Sequence, residues 1–346
     1  MSDPGNDLHD LVTRLFAERV DHEVVLEAER TTLLAGLWQR VAELGLPWIG
    51  VDESAGGSGG GLADVVTLLR AAGTHAVPLP LLETHLATWA FAASGGTVDA
   101  GAPWSVAPGT PADTLTVDGN RATGVLHDVA WGGSAERVVT LLGEQLVVLD
   151  PSDAWVREGR DLAGQPRDHL SFDGATVELL AAVVSAEQLR QRAAVLRAAQ
   201  MDGAMQRVYD VTNTYVYQRE QFGRPVGTFQ AVRSHLVQLA QVAVMTRLCV
   251  DRAAATLAAG EEGSFPAYAS KLLANQNAAL STRSGHQAHG AIGMTQEYVL
   301  QDLTRRLNAW RGDWGTERAL AGRIGSAVID ARRVATIATD RGALTV

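Results

Sequence analysis

Apolar residues change their spacing twice along the chain, and the changes divide it into helical, strand-rich and helical stretches. Near the start, Leu8, Leu11, Val12, Leu15 and Phe16 recur at helical spacing and predict a short amphipathic helix. The residues before it, Met1 to Asp7, read as an acidic turn. Leu33, Leu37, Trp38, Val41 and Leu44 predict a second helix from about Glu29, ending at Gly45 in the usual way. A loop, Gly56-Gly57-Ser58-Gly59-Gly60-Gly61, precedes a helix from Leu62, and Pro78-Leu79-Pro80 breaks the chain before a helix through Trp89 and Phe91. From about 100 to 183 the helical period disappears. Segments 114–117, 137–142, 145–149 and 175–179 alternate or run apolar between turns such as Asp118-Gly119, and fit a small β-barrel or sandwich.

Beyond Ser185 the pattern is helical throughout. Phe229, Val232, Leu236, Leu239, Ala243, Thr246, Val250, Ala253 and Leu257 alternate steps of three and four, the seam of a long helix packed along another. Further helices at 266–285, 295–310 (with Thr295 as N-cap) and 316–339 complete an antiparallel bundle. The expected domains are therefore a helical 1–99, a β domain at 100–183 and a helical bundle at 184–346.

Composition narrows the function classes. With 29 basic against 39 acidic residues the formal charge is -10, which argues against a nucleic-acid surface and leaves any anionic ligand dependent on a local basic pocket. Cys249 is the single cysteine, so neither an intrachain disulfide nor a thiolate metal cluster can form. No basic and apolar leader and no membrane-length apolar run is present, so the cytoplasm is the expected compartment and no membrane partner is expected. The glycine-rich run at 56–61 lacks the Lys-Ser/Thr of a phosphate loop and reads as an interhelix loop.

Two segments carry the chemistry. The first is Arg219-Glu220-Gln221-Phe222-Gly223-Arg224-Pro225-Val226 followed by Phe229-Gln230; the second is Gln287-Ala288-His289-Gly290-Ala291-Ile292-Gly293. Arginine offers a rigid fork for phosphate oxygens, glycines let a backbone approach a ligand, and glutamine amides donate and accept. His289 reads as a partly buried polar residue rather than a catalytic one. Together the segments resemble the flavin-clamping motifs, R-x-x-F-G with a following Gln and then Q-x-x-G-G-x-G, of acyl-CoA dehydrogenases. Ala291 stands where the family has its second glycine.

That resemblance implies an α+β fold: an N-terminal helical domain, a middle β-barrel, here shortened, and a C-terminal four-helix bundle. It implies FAD as cofactor, an acyl-CoA substrate and an electron acceptor such as electron-transfer flavoprotein. The FAD, held by a neighbouring subunit, would be contacted through Arg219, Phe222, Gln230, Gln287, Gly290 and Ala291. The family's base removes the α-proton of the thioester while the β-hydrogen passes to the flavin as hydride. At its common position, Tyr-Glu-Gly-Thr in the family, this chain reads Asp313-Trp314-Gly315-Thr316, and at the alternative position on the long helix it has Ala193. An indole has no basic site at neutral pH, and Asp313 or Glu317 could serve only if the turn is rebuilt. The family's flavin-ring segment is not recognisable either; Pro108 to Asp113 stands near its place without matching it.

Three readings follow. The chain is the base-lacking partner of a catalytic acyl-CoA dehydrogenase subunit, in a heterotetramer like the α2β2 enzymes of actinobacterial steroid degradation. It is a self-sufficient homo-oligomeric dehydrogenase with a relocated base. Or it is a flavin-free scaffold that inherited the fold.

Overall fold

The first helix begins within the segment that the sequence suggests is a turn. A computed structural model describes residues 4–260 and 265–331. In it α1 spans Pro4–Arg19, because proline at a helix start loses only an amide that would have no partner there. The expected helix from Glu29 is corrected as well. Helix α2 (His22–Ala28) ends where the amide and hydroxyl of Thr31 both donate to the Glu27 carbonyl, and α3 covers only Ala35–Glu43. Gly45 terminates it in the left-handed region, φ 68°. Helices α4 (Leu62–Thr74) and α5 (Leu81–Ala93) follow, joined through the proline break.

The glycine-rich run is a loop folded on its own surroundings. A side chain on Gly57 would meet the Val51 carbonyl oxygen at 2.2 Å, and one on Gly56 the Val98 carbonyl oxygen at 2.2 Å.

The β region holds eight strands in two sheets. They are β1 (Trp104–Val106), β2 (Thr116–Asp118), β3 (Arg121–Ala130), β4 (Arg137–Leu142), β5 (Gln145–Leu149), β6 (Trp155–Arg157), β7 (Arg167–Thr176) and β8 (Glu178–Ala181). One sheet runs β1-β4-β5-β8, parallel only between β1 and β4; the other runs β2-β3-β7-β6, antiparallel throughout. Leu126 and Leu170 from the second sheet and Val138, Val147 and Leu149 from the first share one buried core. Strand β3 is unreadable from alternation because its register shifts between Leu126 and Val129, with Asp128 at φ 57° in the bulge. The Asp113 carboxylate secures the bulge by accepting the His127 amide at 2.8 Å.

The remaining helices are α6 (Ala186–Gln218), α7 (Gln230–Ala258), α8 (Phe265–His289), α9 (Leu300–Trp310) and α10 (Glu317–Ala331), with a two-residue hairpin β9 (Glu220–Gln221) and β10 (Arg224–Pro225) after α6. The expected 316–339 helix is described as far as Ala331; the rest of it lies outside the described residues. Thr295 does not cap α9: its hydroxyl donates back to the Ile292 carbonyl at 2.9 Å and closes a 3-10 turn, and α9 starts five residues later at Leu300. The expected seam of α7 is buried at Leu236, Leu239, Ala243, Thr246, Val250 and Ala253.

The chain divides into two compact units. One comprises Leu26–Val65 and Pro78–Ala193; the other Met1–Val25, Val66–Val77 and Ala194–Val346. Within the second unit α4 meets α6 backbone to backbone. A Cβ on Gly73 would lie 1.9 Å from the Gln200 carbonyl oxygen, and one on Gly203 1.9 Å from that of Arg70. Arg70 reinforces the crossing by donating to Asp202 and to Asp251, each at 2.5 Å.

Deeper in the same unit a buried polar network fixes the loop between α9 and α10. Lys271 of α8 is fully buried, its ammonium donating to Asn275 Oδ1 at 2.5 Å and to the Trp310 carbonyl at 2.9 Å. Asn275 in turn donates to the carbonyls of Arg311, at 3.1 Å, and Gly315, at 3.0 Å. Burial pulls Lys271 down to about 7; Asp313 and Glu317 oppose that shift, while Arg197 and Arg311 add to it.

Gly→Ala inside an open helix stabilises by about 1 kcal/mol, but Gly203→Ala must push α4 and α6 apart and should cost about 1–3 kcal/mol, read as a lower urea midpoint. For Lys271, the native pKa of about 7 lies below the ordinary 10.5, so between those values the unfolded chain binds more protons. Stability should therefore rise with pH across that window, by at most about 1.4 kcal/mol per unit, and Lys271 adds no slope below it. Lys271→Met should flatten the rise in urea titrations between about pH 7 and 10; an unchanged slope would refute the assignment.

Candidate functional site

The two motifs are turns at the ends of three long helices. Helix α6 stops at Gln218, and the Arg219 amide still donates to the Tyr215 carbonyl at 2.8 Å. The chain then makes a hairpin closed by the Val226 amide donating to the Arg219 carbonyl at 2.8 Å. Its tip, Phe222-Gly223, has both residues left-handed, φ 53° and 76°, as a tight hairpin turn requires. Phenylalanine is a strained choice there, and its ring is 91% exposed, edge-on to Phe229 with ring centroids 6.1 Å apart. Arg224 lies over Phe229 at 4.3 Å. Helix α7 opens at Gln230 with no side chain capping its first amides.

The second motif ends α8. Gly290, left-handed at φ 67°, terminates the helix, and a 3-10 turn runs Gly290–Met294. Gly293 is buried where a Cβ would come within 2.8 Å of the His289 Cβ. Gln287, Gly290 and Ala291 are exposed, so the methyl that replaces the second glycine meets no crowding from the fold.

A common floor brings the motifs together. His289 stacks on Tyr215 with centroids 4.5 Å apart, and its Nε2 lies 3.2 Å from the Tyr298 hydroxyl. Its Nδ1 is 2.8 Å from the Gly285 carbonyl. Burial holds its pKa below the ordinary value, against the Gly285 bond. His289 is thus a structural residue that ties the end of α8 to the last turn of α6, and Val216, Leu236 and Ala288 pack beneath. The upper surface is different. Arg219, Phe222, Gln230 and Gln287 are all exposed, and among the described residues the side chains of Arg219, Gln230 and Gln287 have no hydrogen-bond partner.

Trp314, where the motif resemblance leads one to expect the base, is half-buried and left-handed, φ 54°, in the loop that Lys271 and Asn275 hold. The neighbouring carboxylates are engaged. Asp313 pairs with the buried Arg197 at 3.1 Å, and Glu317 accepts from Arg311 Nη2 at 2.6 Å and Nε at 3.0 Å. Ala193, at the alternative position, is fully buried in the other unit. The network of Lys271, Asn275 and Arg197 went unnoticed in the sequence. Its one signal there is a lysine and an asparagine a helical turn apart in an alanine-rich segment.

Comparison with known proteins fits this architecture. The family model for the acyl-CoA dehydrogenase C-terminal domain matches residues 184–329. The acyl-CoA dehydrogenase IpdE2 of Mycolicibacterium smegmatis is 29% identical over 311 residues, covering 88% of this chain and 93% of that protein. Among solved structures, the Tcur3481-Tcur3483 steroid ACAD G363A variant superposes with a TM-score of 0.88 at 24% identity, over 95% of this chain and 98% of that one. The ChsE4-ChsE5 complex from Mycobacterium tuberculosis gives 0.86 at 22% identity, over 95% and 98%. At those identities the structures speak for the fold; residues 184–329 belong to the acyl-CoA dehydrogenase family by their matched domain, and along most of its length the chain is similar to members of that family, which are FAD-binding flavoproteins.

Proposed function

We propose that this chain is the base-lacking subunit of a heteromeric FAD-dependent acyl-CoA dehydrogenase, presenting its two motifs to the ADP half of an FAD held by a catalytic partner. One observation carries the reading. The clamp residues stand exposed with their side chains unpartnered, while at the base position an indole replaces the carboxylate and both neighbouring carboxylates are tied to arginines. The donor set fits the cofactor. An exposed guanidinium suits pyrophosphate oxygens, two primary amides suit nucleotide and ribose edges, and the uncapped first amides of α7 favour negative charge. FAD, when bound, supplies the acceptor for the hydride leaving the acyl β-carbon. This chain's residues would hold and orient it, while proton removal at the α-carbon falls to the partner's base.

Exposed apolar residues support a partner. Phe222 and Met294 (91% and 73% exposed) project from the two motifs, and Val237, Val244 and Leu248 line one exposed face of α7. Such residues favour burial in an interface larger than about 1,000 Å². Two of the similar structures, Tcur3481-Tcur3483 and the ChsE4-ChsE5 complex, pair unlike chains and favour the same arrangement here, a heterotetramer in steroid or lipid catabolism. The acyl-CoA substrate, delivery of electrons to electron-transfer flavoprotein and a cytoplasmic location complete the reading. Among the described residues no helix is long and apolar enough to cross a membrane.

Purified alone, the chain should be colourless; assembled with its catalytic partner, the complex should carry about one FAD per pair of unlike chains, measured by flavin absorbance after sedimentation. Flavin on the chain alone, with turnover lost on changing Asp313 or Glu317, would establish a self-sufficient enzyme instead. No flavin in either preparation would mark a scaffold. Arg219→Ala should weaken FAD retention in the complex about tenfold or more, and Arg219→Lys should restore only part, because an ammonium lacks the planar fork. Unchanged occupancy in the alanine variant would sink the role given to Arg219.

A further inference from the structure

Arg192, one residue before Ala193 on α6, is held rigidly on one side and offers the other to solvent. Its Nε donates to His85 Nε2 at 3.1 Å. Because an arginine Nε can only donate, His85 Nε2 must accept, which places the imidazole proton on Nδ1, 3.0 Å from the Ile49 carbonyl. Burial and the neighbouring Arg192 hold the pKa of His85 well below its ordinary value, so the ring stays neutral in this role. Gly50, at φ 83°, lets the backbone pass close by: a Cβ there would sit 3.1 Å from the imidazole Cε1. The guanidinium carbon lies over the Trp89 ring, 4.3 Å from its centroid. Plane and rotation are therefore both fixed.

What this frame leaves open is the edge formed by Nη1 and Nη2. Among the described residues neither nitrogen has a hydrogen-bond partner and no carboxylate pairs with Arg192; the nearby Glu187 is engaged by Arg190 at 3.3 Å and Gln191 at 3.0 Å. Neither Nη is sealed from solvent. Burial alone draws the guanidinium down to about 10, the mark of a cation set among apolar and neutral groups with no counter-ion.

We propose that the Nη1–Nη2 edge of Arg192 receives the carboxylate of a small organic acid, free or at the far end of an acyl thioester. Two parallel N–H groups match the two oxygens of a planar carboxylate, and the fixed plane removes most of the ordering that a mobile arginine would lose. Trp89 reports the event, because a carboxylate in this position changes the field at its ring.

The test uses the full-length chain and reads neither flavin nor turnover, so it stands apart from the heteromer assignment. Glutarate, glutaryl-CoA and pentanoyl-CoA are titrated while tryptophan fluorescence and calorimetric heat are followed. A saturable response to glutarate or glutaryl-CoA that pentanoyl-CoA does not give is expected. Arg192→Met should weaken it about tenfold or more, and Arg192→Lys should recover part of it. Trp89→Phe should abolish the optical signal and keep the heat. Tighter binding of glutaryl-CoA than of glutarate assigns the carboxylate to a thioester; equal binding assigns it to a free acid. No saturable response from either carboxylate, or an equal one in a folded Arg192→Met, overturns the proposal.

Discussion

An amine sealed inside a helical bundle has to be answered by groups that cannot move away, and Lys271 Nζ is answered largely by backbone. It bonds the Trp310 carbonyl directly and reaches those of Arg311 and Gly315 through Asn275. Three carbonyls of a single short loop are thereby fixed to α8. The left-handed backbone at Trp314 is sustained by the same bonds, since a bulky residue adopts that conformation only where its surroundings impose it. The chemistry open to the site depends on this loop. If it were loose, Asp313 or Glu317 could swing to wherever a base is needed. Held as it is, Asp313 faces Arg197 and Glu317 faces Arg311.

The surface of the two motifs follows the opposite rule. Beneath it His289 is buried, stacked on Tyr215 and hydrogen-bonded to Tyr298; above it the side chains of the arginine and the two glutamines have no hydrogen-bond partner among the described residues, and the phenylalanine ring touches only Phe229 edge-on. A polar surface is ordinarily left exposed without consequence. A phenylalanine at the tip of a strained hairpin is different, because the strain and the exposure of its ring both cost free energy in the isolated chain. Both costs are offset where another molecule covers the tip.

Where side-chain period and backbone agreed, the elements were legible in the sequence. Strands β4 and β5 were expected at their observed bounds, and the seam of α7 was readable from its threes and fours because packing against α8 imposes that spacing. Elements held together by a tertiary device were missed. Strand β3 contains a bulge anchored from Asp113, which alternation cannot register. The hydroxyl of Thr295 turns backward to Ile292, so a residue suited to capping closes the previous turn instead. In the site, the motif residues were readable because they are local in the chain. The groups behind the loop were not: Lys271, Arg197 and Asp313 meet only once three separate segments are folded together.

The arginines of α6 illustrate why burial and partner must be considered together. Arg190, Arg192 and Arg197 lie within two turns of one helix, with little in the sequence to separate them. Arg190 is a surface residue paired with Glu187 a turn away, an interaction worth little in water. Arg197 is buried with its charge answered by Asp313, so losing either partner would strand the other. Arg192 is partly buried, in contact with Trp89 and hydrogen-bonded through Nε, and among the described residues it has no anion. A charge in that condition lowers stability unless something else compensates, and the geometry that holds it is the geometry a carboxylate needs. The same helix thus carries a surface ion pair, a structural lock and an open fork, distinguished only by what the fold places opposite each guanidinium.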